Sequence, residues 1–204
     1  MEIEKLKTEN LQSRYEALTN QINPHFLFNS LNGLTSLIRK HEDENAIVYV
    51  NKLSDIFRYI LQSDKKSLVT LKEELDCVDG LLYMLEKRFA NKLSFQIDIP
   101  DNKYDLKIPV LSLLPIVDNI VVHNVIDSHH KMLVQIFLTK QAELCVTNPI
   151  YPKLTPPNTN GTGLKNLSNR FSLLLNRNIT VTNDKLTFTV TLPLVDERDE
   201  NPDC

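Results

Sequence analysis

A chain of 204 residues, 42% hydrophobic and 24% charged, is long enough to bury a core and build one or two domains. A formal charge of −3 without any Lys/Arg cluster leaves no electrostatic footprint for sequence-independent nucleic-acid binding, so the expected partners are proteins or small anions. Cys77, Cys145 and Cys204 lie far apart with neither metal-ligand nor paired spacing, which excludes a disulfide framework and fits free thiols in a reducing compartment.

The N-terminal "MEIEKLKTENLQ" has no apolar run of signal-peptide or membrane-spanning type, so this chain is expected in the cytoplasm. Leu11, Tyr15, Leu18 and Ile22 are spaced 4-3-4, the a/d seam of a short coiled coil, and predict a two-chain entry helix over 1–22. Asn23 stands where a helix N-cap would, with Pro24 at a tolerated first-turn position, so a helix begins or kinks there. From Pro24 to about Ile38 one apolar stripe, Leu27, Leu31, Leu34 and Ile38, is expected to face inward, with His25, Asn29, Asn32 and Ser36 on the opposite side. A helix over about Asp43–Gln62 should turn Ile47, Val50, Phe57 and Ile60 inward. Another over Leu71–Phe89 should bury Leu75, Val78, Leu82 and Leu85.

At residue 92 the period changes. "KLSFQIDIP" alternates as a strand, Pro109 is expected to open a helix through "PVLSLLPIVDNIVVHN", and "MLVQIFL" and "AELCVTN" read as strands around "TKQ". "GTGLKNLSNRFSLLL" reads as a helix, and "ITVTNDKLTFTVTLPL" as a hairpin turning near Asn183-Asp184. The tail from 196 to 204, "DERDENPDC", is expected to be acidic and disordered.

Five blocks in order, "QINPHFLFNSLN", "LSDIFRYIL", "LKEELDCVDGLLYMLEKRF", "LLPIVDNIVVHN" and "GTGLKNLSNRF", resemble the LytS/YehU-type sensor histidine kinases over essentially Gln21–Leu194. The resemblance implies an α+β chain: a helical dimerisation and phosphoacceptor module over 23–91, then a Bergerat (GHKL) two-layer α/β sandwich over 92–195. It implies a homodimer that uses ATP and Mg²⁺ to phosphorylate its own histidine. The phosphoryl group then passes to a response regulator, the LytTR DNA-binding type being one class it allows. Any sensing and membrane segments are expected before Met1, in an inner-membrane sensor.

On the resemblance, His25 is the phosphoacceptor, as suits an exposed imidazole that is neutral near its ordinary pKa; the ordinary reading is a solvated His beside a helix start. Asn119 is assigned to Mg²⁺, a hard ion that takes uncharged oxygen donors, and His123 to phosphate contact. Gly161, Gly163, Leu164 and Asn166 belong to a glycine-led helix start suited to phosphate, although a plain glycine turn has the same look. Pro149–Asn160 could serve as a lid over nucleotide. Four departures bear on activity. Asn148 replaces the Asp that meets adenine, without the following glycines. Asp118-Asn119 stands for the usual Glu-Asn. Val122 and Asn124 replace the Lys and Gly that often flank the histidine, which weakens the phosphate site. Phe26 follows His25 where other histidine kinases carry an acidic base, leaving Asp118 as the candidate base. Arg58 and Arg88 are candidates for the transferring phosphate or, equally, helix-surface ion pairs. The competing readings are a nucleotide-poor signalling scaffold of the same fold and another GHKL ATPase.

Overall fold

The computed structural model describes residues 24–63, 66–155 and 162–196. The Leu11–Ile22 seam, the acidic tail from 197 onward and Gly161 lie outside the described residues. The chain divides into two compact units, Met1–Asp64 and Lys65–Cys204.

In the first unit, helix α1 (Pro24–Arg39) and helix α2 (Asp43–Gln62) form an antiparallel hairpin. The two meet through a different stripe from the expected one. On α1 the buried positions are Phe26, Ser30, Gly33 and Leu37, while Leu31 and Ile38 are exposed and Leu27 and Leu34 half-buried. On α2 they are Ala46, Tyr49, Leu53, Ile56 and Ile60, and Ile47 is 64% exposed. The reason is steric. Tyr49 is buried and donates to the Ser30 carbonyl at 3.0 Å, and a Cβ at position 33 would overlap its hydroxyl, so only the small residues of α1 admit it. Phe26 and Phe57 close the far end edge to face, ring centroids 6.3 Å apart. The larger aliphatic stripes of both helices are thereby left outward.

In the second unit, strand β1 (Leu68–Thr70) pairs antiparallel with β3 (Lys107–Pro109), a short ribbon that feeds helix α3 (Leu71–Phe89). Thr70 and Glu73 form a reciprocal capping box at its start. Leu75, Val78, Leu82 and Leu85 are buried, as their spacing predicted. Strands β2 (Leu93–Asp98), β4 (Met132–Leu138), β5 (Leu144–Pro149), β6 (Thr180–Asn183) and β7 (Thr187–Leu192) make one sheet in the order β2-β4-β5-β7-β6. β2 and β4 run parallel and the other neighbours antiparallel. Leu93, Met132, Val134, Ile136, Leu144, Val146, Val190 and Leu192 are buried, whereas Leu133 on the alternate face is exposed. Helix α4 (Leu114–His123) and helix α5 (Thr162–Leu175) add Ile116, Ile120, Leu167 and Phe171 to this core. The fold class is therefore α+β, with helices on one face of a mixed sheet as the GHKL resemblance implied.

Helix α4 begins five residues later than expected. Pro109 belongs to β3, paired with Leu68, and Leu111 has φ 58°, a left-handed value that interrupts any helix begun there. Pro115 takes the first-turn position instead.

Candidate functional site

Of the site residues expected from sequence, Asp118, Asn119 and His123 fall on α4, and Gly163, Leu164 and Asn166 on α5. Ile116, Val117, Ile120, Val121 and Val122 of α4 are buried. Asp118 and Asn119 are half-buried and His123 exposed, so the helix carries a polar edge on an otherwise apolar body. Asn119 and His123, four residues apart, lie one turn from each other on that edge.

The N-terminal end of α4 has no capping side chain of its own. Glu74, reaching from α3, supplies it: its Oε1 accepts from the Leu113 N–H at 2.9 Å and its Oε2 from the Leu111 N–H at 3.0 Å. At 1% exposure this carboxylate is isolated from water. Two backbone donors and the positive end of the helix stabilise it there. From α5, Arg170 donates to the carbonyls of Val110 (2.6 Å) and Leu111 (3.3 Å). Burial pushes the Arg170 guanidinium down from its ordinary value, and the Glu74 carboxylate opposes that shift. The turn at 110–113 is thus clamped between an acid of α3 and a base of α5, which keeps Leu111 in its left-handed conformation.

The C-terminal end is held by neutral amides and a lysine. Asn124 donates from Nδ2 to the Ile120 carbonyl at 2.9 Å, and its Oδ1 accepts from the Tyr151 N–H at 2.8 Å. Val125 N–H donates to the Tyr151 carbonyl at 2.7 Å. Lys153 Nζ donates to the carbonyls of Val122 (2.6 Å) and Val121 (3.0 Å). Asn124 has φ −111° and ψ 149°, an extended geometry open to any residue, so glycine is not required there. Where position 122 carries no Lys, Lys153 brings a cation to this end from the segment after β5.

Partial burial and the Lys153 ammonium hold the His123 imidazole below its ordinary pKa, against the pull of Asp118. Near neutral pH it is uncharged. Lys153 is in turn pushed down by partial burial and by Arg88, the penultimate residue of α3.

Gly163 lies in the first turn of α5 and is exposed; Leu164 is half-buried and Asn166 exposed. A Cβ at 163 would stand 3.9 Å from that of Pro115, so the start of α5 lies against the first turn of α4. Asn148 is 2% exposed on β5, and its amide donates to the Pro149 carbonyl at 2.6 Å. His25 falls in the first turn of α1; the orientation of its side chain lies outside the described residues. Arg58 pairs with Asp55 at 2.8 Å, both well exposed, which favours the ordinary ion-pair reading. His130 pairs with Asp127 at 2.9 Å in the loop, half-exposed. Among the described residues no group of His, Cys, Asp and Glu could hold a metal by itself, and no helix is long and apolar enough to cross a membrane.

Glu74, Arg170 and Lys153 were not singled out from the sequence. Glu74 left a signal, a charge on the apolar stripe of α3 between Leu71 and Val78. Lys153 left none, because its acceptors lie 31 and 32 residues earlier.

Helices over one face of a mixed sheet, with Asn119 and His123 on the polar edge of α4 and the start of α5 against the first turn of α4, define a two-layer α/β module. The family model of histidine kinases matches residues 13–93, which include His25 and all of α1, α2 and α3. Sensor protein LytS of Oceanobacillus iheyensis is 34% identical over 140 residues, 69% of this chain and 24% of that protein. Sensor histidine kinase BtsS of Escherichia coli K12 is 37% identical over 120 residues, 59% of this chain and 21% of that one. The histidine kinase domain of the Erythrobacter litoralis EL346 blue-light activated kinase aligns with 91% of this chain and 95% of its own at 14% identity and TM-score 0.42. On the sequence matches, the chain belongs to the histidine-kinase family, in its LytS/YehU type. It spans about a quarter of the length of the LytS relative.

Proposed function

We infer that the chain is the kinase portion of a two-component sensor histidine kinase, which phosphorylates His25 and passes the phosphoryl group to a response regulator, the LytTR type among the candidates. The observation that carries this is the family match across His25, together with the polar edge of α4. The residues fit MgATP. Asn119 offers an amide oxygen to a hard cation whose other ligands would be phosphate oxygens. His123, uncharged, offers a hydrogen bond. Gly163 and Leu164 lie in the first turn of α5, where a helix start suits phosphate, and Asn166 adds a side-chain amide one turn on. Asn148 offers an amide in place of the usual acid for the adenine amine, a bond about half as strong as to a carboxylate. When bound, MgATP supplies the phosphoryl group; His25 is its acceptor, and Asp118 takes the proton released.

The outward stripes of α1 and α2 support homodimerisation. Phe28, Leu31, Ile38, Ile47 and Leu61 are each at least 45% exposed, on helices whose other faces are already satisfied. A cytoplasmic location goes with this reading.

A second reading, a nucleotide-poor signalling scaffold of the same fold, is favoured by one observation: the Asn148 side chain is buried, 2% exposed. Calorimetry with a non-hydrolysable ATP analogue in Mg²⁺ separates the two. The kinase reading expects weak but measurable heat, abolished by Asn119→Ala and strengthened by Asn148→Asp. No heat and no thermal shift at millimolar analogue would move the conclusion to the scaffold.

A further inference from the structure

The C-terminal end of α4 gathers three basic side chains from three elements. Arg88 comes from the last turn of α3, His123 from the last turn of α4, and Lys153 from the segment after β5. None is near another in sequence. The segment bearing Lys153 is not a free tail: Tyr151, Pro152 and Lys153 are stitched to α4 through the Asn124–Tyr151 side-chain bond, the Val125–Tyr151 backbone bond and a bridge between Asn124 and Pro152. The Lys153 backbone N–H also donates to the His123 carbonyl, at 3.4 Å. That stitching fixes the stem. The two carbonyls at the negative end of α4 then hold the ammonium using two of its three N–H donors.

A lysine held this way has little conformational entropy left to lose on meeting a ligand. Its charge also stands where charge of the same sign already acts, since Arg88 and Lys153 are close enough to repel. An anion arriving there relieves that repulsion and gains charge-assisted hydrogen bonds. The polar edge that ends in His123 runs back one turn to Asn119, the proposed Mg²⁺ ligand, so an anion at this end would extend along the helix.

We propose that Arg88, His123 and Lys153 form a polyphosphate-binding end of α4, with Lys153 supplying from a distant segment the cation that position 122 lacks. The proposal rests on the reading of this face of α4 as the nucleotide site, and names which charge the phosphates meet. Both His123 and Lys153 are held below their ordinary values first by burial and then by a basic neighbour, and an anion would offset the second cause.

The test is calorimetry on the full chain with three probes in Mg²⁺: a non-hydrolysable ATP analogue, inorganic tripolyphosphate and adenosine. Lys153→Met keeps the aliphatic stem and removes the charge; Lys153→Arg keeps the charge. The expected result is a loss of about tenfold or more for the analogue and for tripolyphosphate in Lys153→Met, the scale of one charge-assisted hydrogen bond. Adenosine affinity should stay unchanged, and Lys153→Arg should restore most of the loss. Should Lys153→Met fail to fold, Asn124→Ala, which loosens the stitch, is expected to give the same selective loss at smaller size. Analogue and tripolyphosphate affinities unchanged in Lys153→Met would overturn the proposal while leaving the nucleotide reading intact. Tripolyphosphate bound through Lys153 without any analogue binding would keep the anion site and reject the nucleotide. An equal loss for adenosine would reduce Lys153 to a structural cap, and no binding of any probe by the wild type would overturn both.

Discussion

The two ends of α4 are held in opposite ways. At the N-terminal end Glu74 is a buried charge and Arg170 a half-buried one, and both bond backbone groups of one turn. At the C-terminal end Asn124 and Lys153 bond the last carbonyls, and Lys153 is exposed. Buried charges are costly to leave unpaired and contribute rigidity; exposed ones contribute little to stability and stay available to a ligand. The contrast teaches that the same helix is anchored at one end and presented at the other, which is what a side chain such as Asn119 between them needs in order to be held to within a fraction of an ångström.

Substitutions at the two ends should therefore separate stability from binding. Glu74→Ala leaves the Leu111 and Leu113 N–H groups and the Arg170 guanidinium without their acid, and should lower the stability of the sheet-bearing unit by about 3–5 kcal/mol in urea denaturation. A double variant with Arg170→Met should lose less than the two single losses summed, because each single change leaves the other charge without its opposite; simple additivity would break the clamp. Asn124→Ala should cost about 1–3 kcal/mol, the loss of two side-chain hydrogen bonds at a buried position, read in the same denaturation series. Gly163→Ala should be neutral or stabilising by up to about 1 kcal/mol, since its Cβ meets Pro115 only at ordinary contact distance and alanine favours a helix; a large loss of stability would show that the α5 start is more tightly packed than described. Lys153→Met should change the melting temperature least, by the equivalent of about 0.5 kcal/mol or less, as for an exposed substitution. A loss there as large as that of Glu74→Ala would erase the contrast between the two ends.

What the sequence disclosed follows the range of the interactions involved. Helix α2 (Asp43–Gln62) and helix α3 (Leu71–Phe89) were legible because their signals are local: period, acidic first turns and the residues that bound them. The β6–β7 turn was legible for the same reason. Asn183 and Asp184 accept from the N–H groups of Lys185, Leu186 and Thr187 just beyond them. β1 and β3 were missed because three-residue strands carry no period, and Pro109 imitates a helix opener. The start of α4 was misplaced because its cap comes from Glu74, 37 to 39 residues away. The inward stripes of α1 and α2 were misjudged because both helices have two apolar faces. Local pattern cannot tell which one a Gly33–Tyr49 close approach will select. In the site, residue types at 118, 119, 123, 148 and 163 were readable through the resemblance, whereas the charge at Lys153 depended on tertiary placement alone.

Whether His25 accepts phosphate is read directly by incubation with radiolabelled ATP and Mg²⁺, followed by acid and base treatment of the labelled protein. The expected result is an acid-labile, base-stable label, as for phosphohistidine, that is absent from His25→Ala while nucleotide affinity and dimerisation stay near wild type. Label that persists in His25→Ala, or a wild type that binds nucleotide and acquires no label, would contradict it.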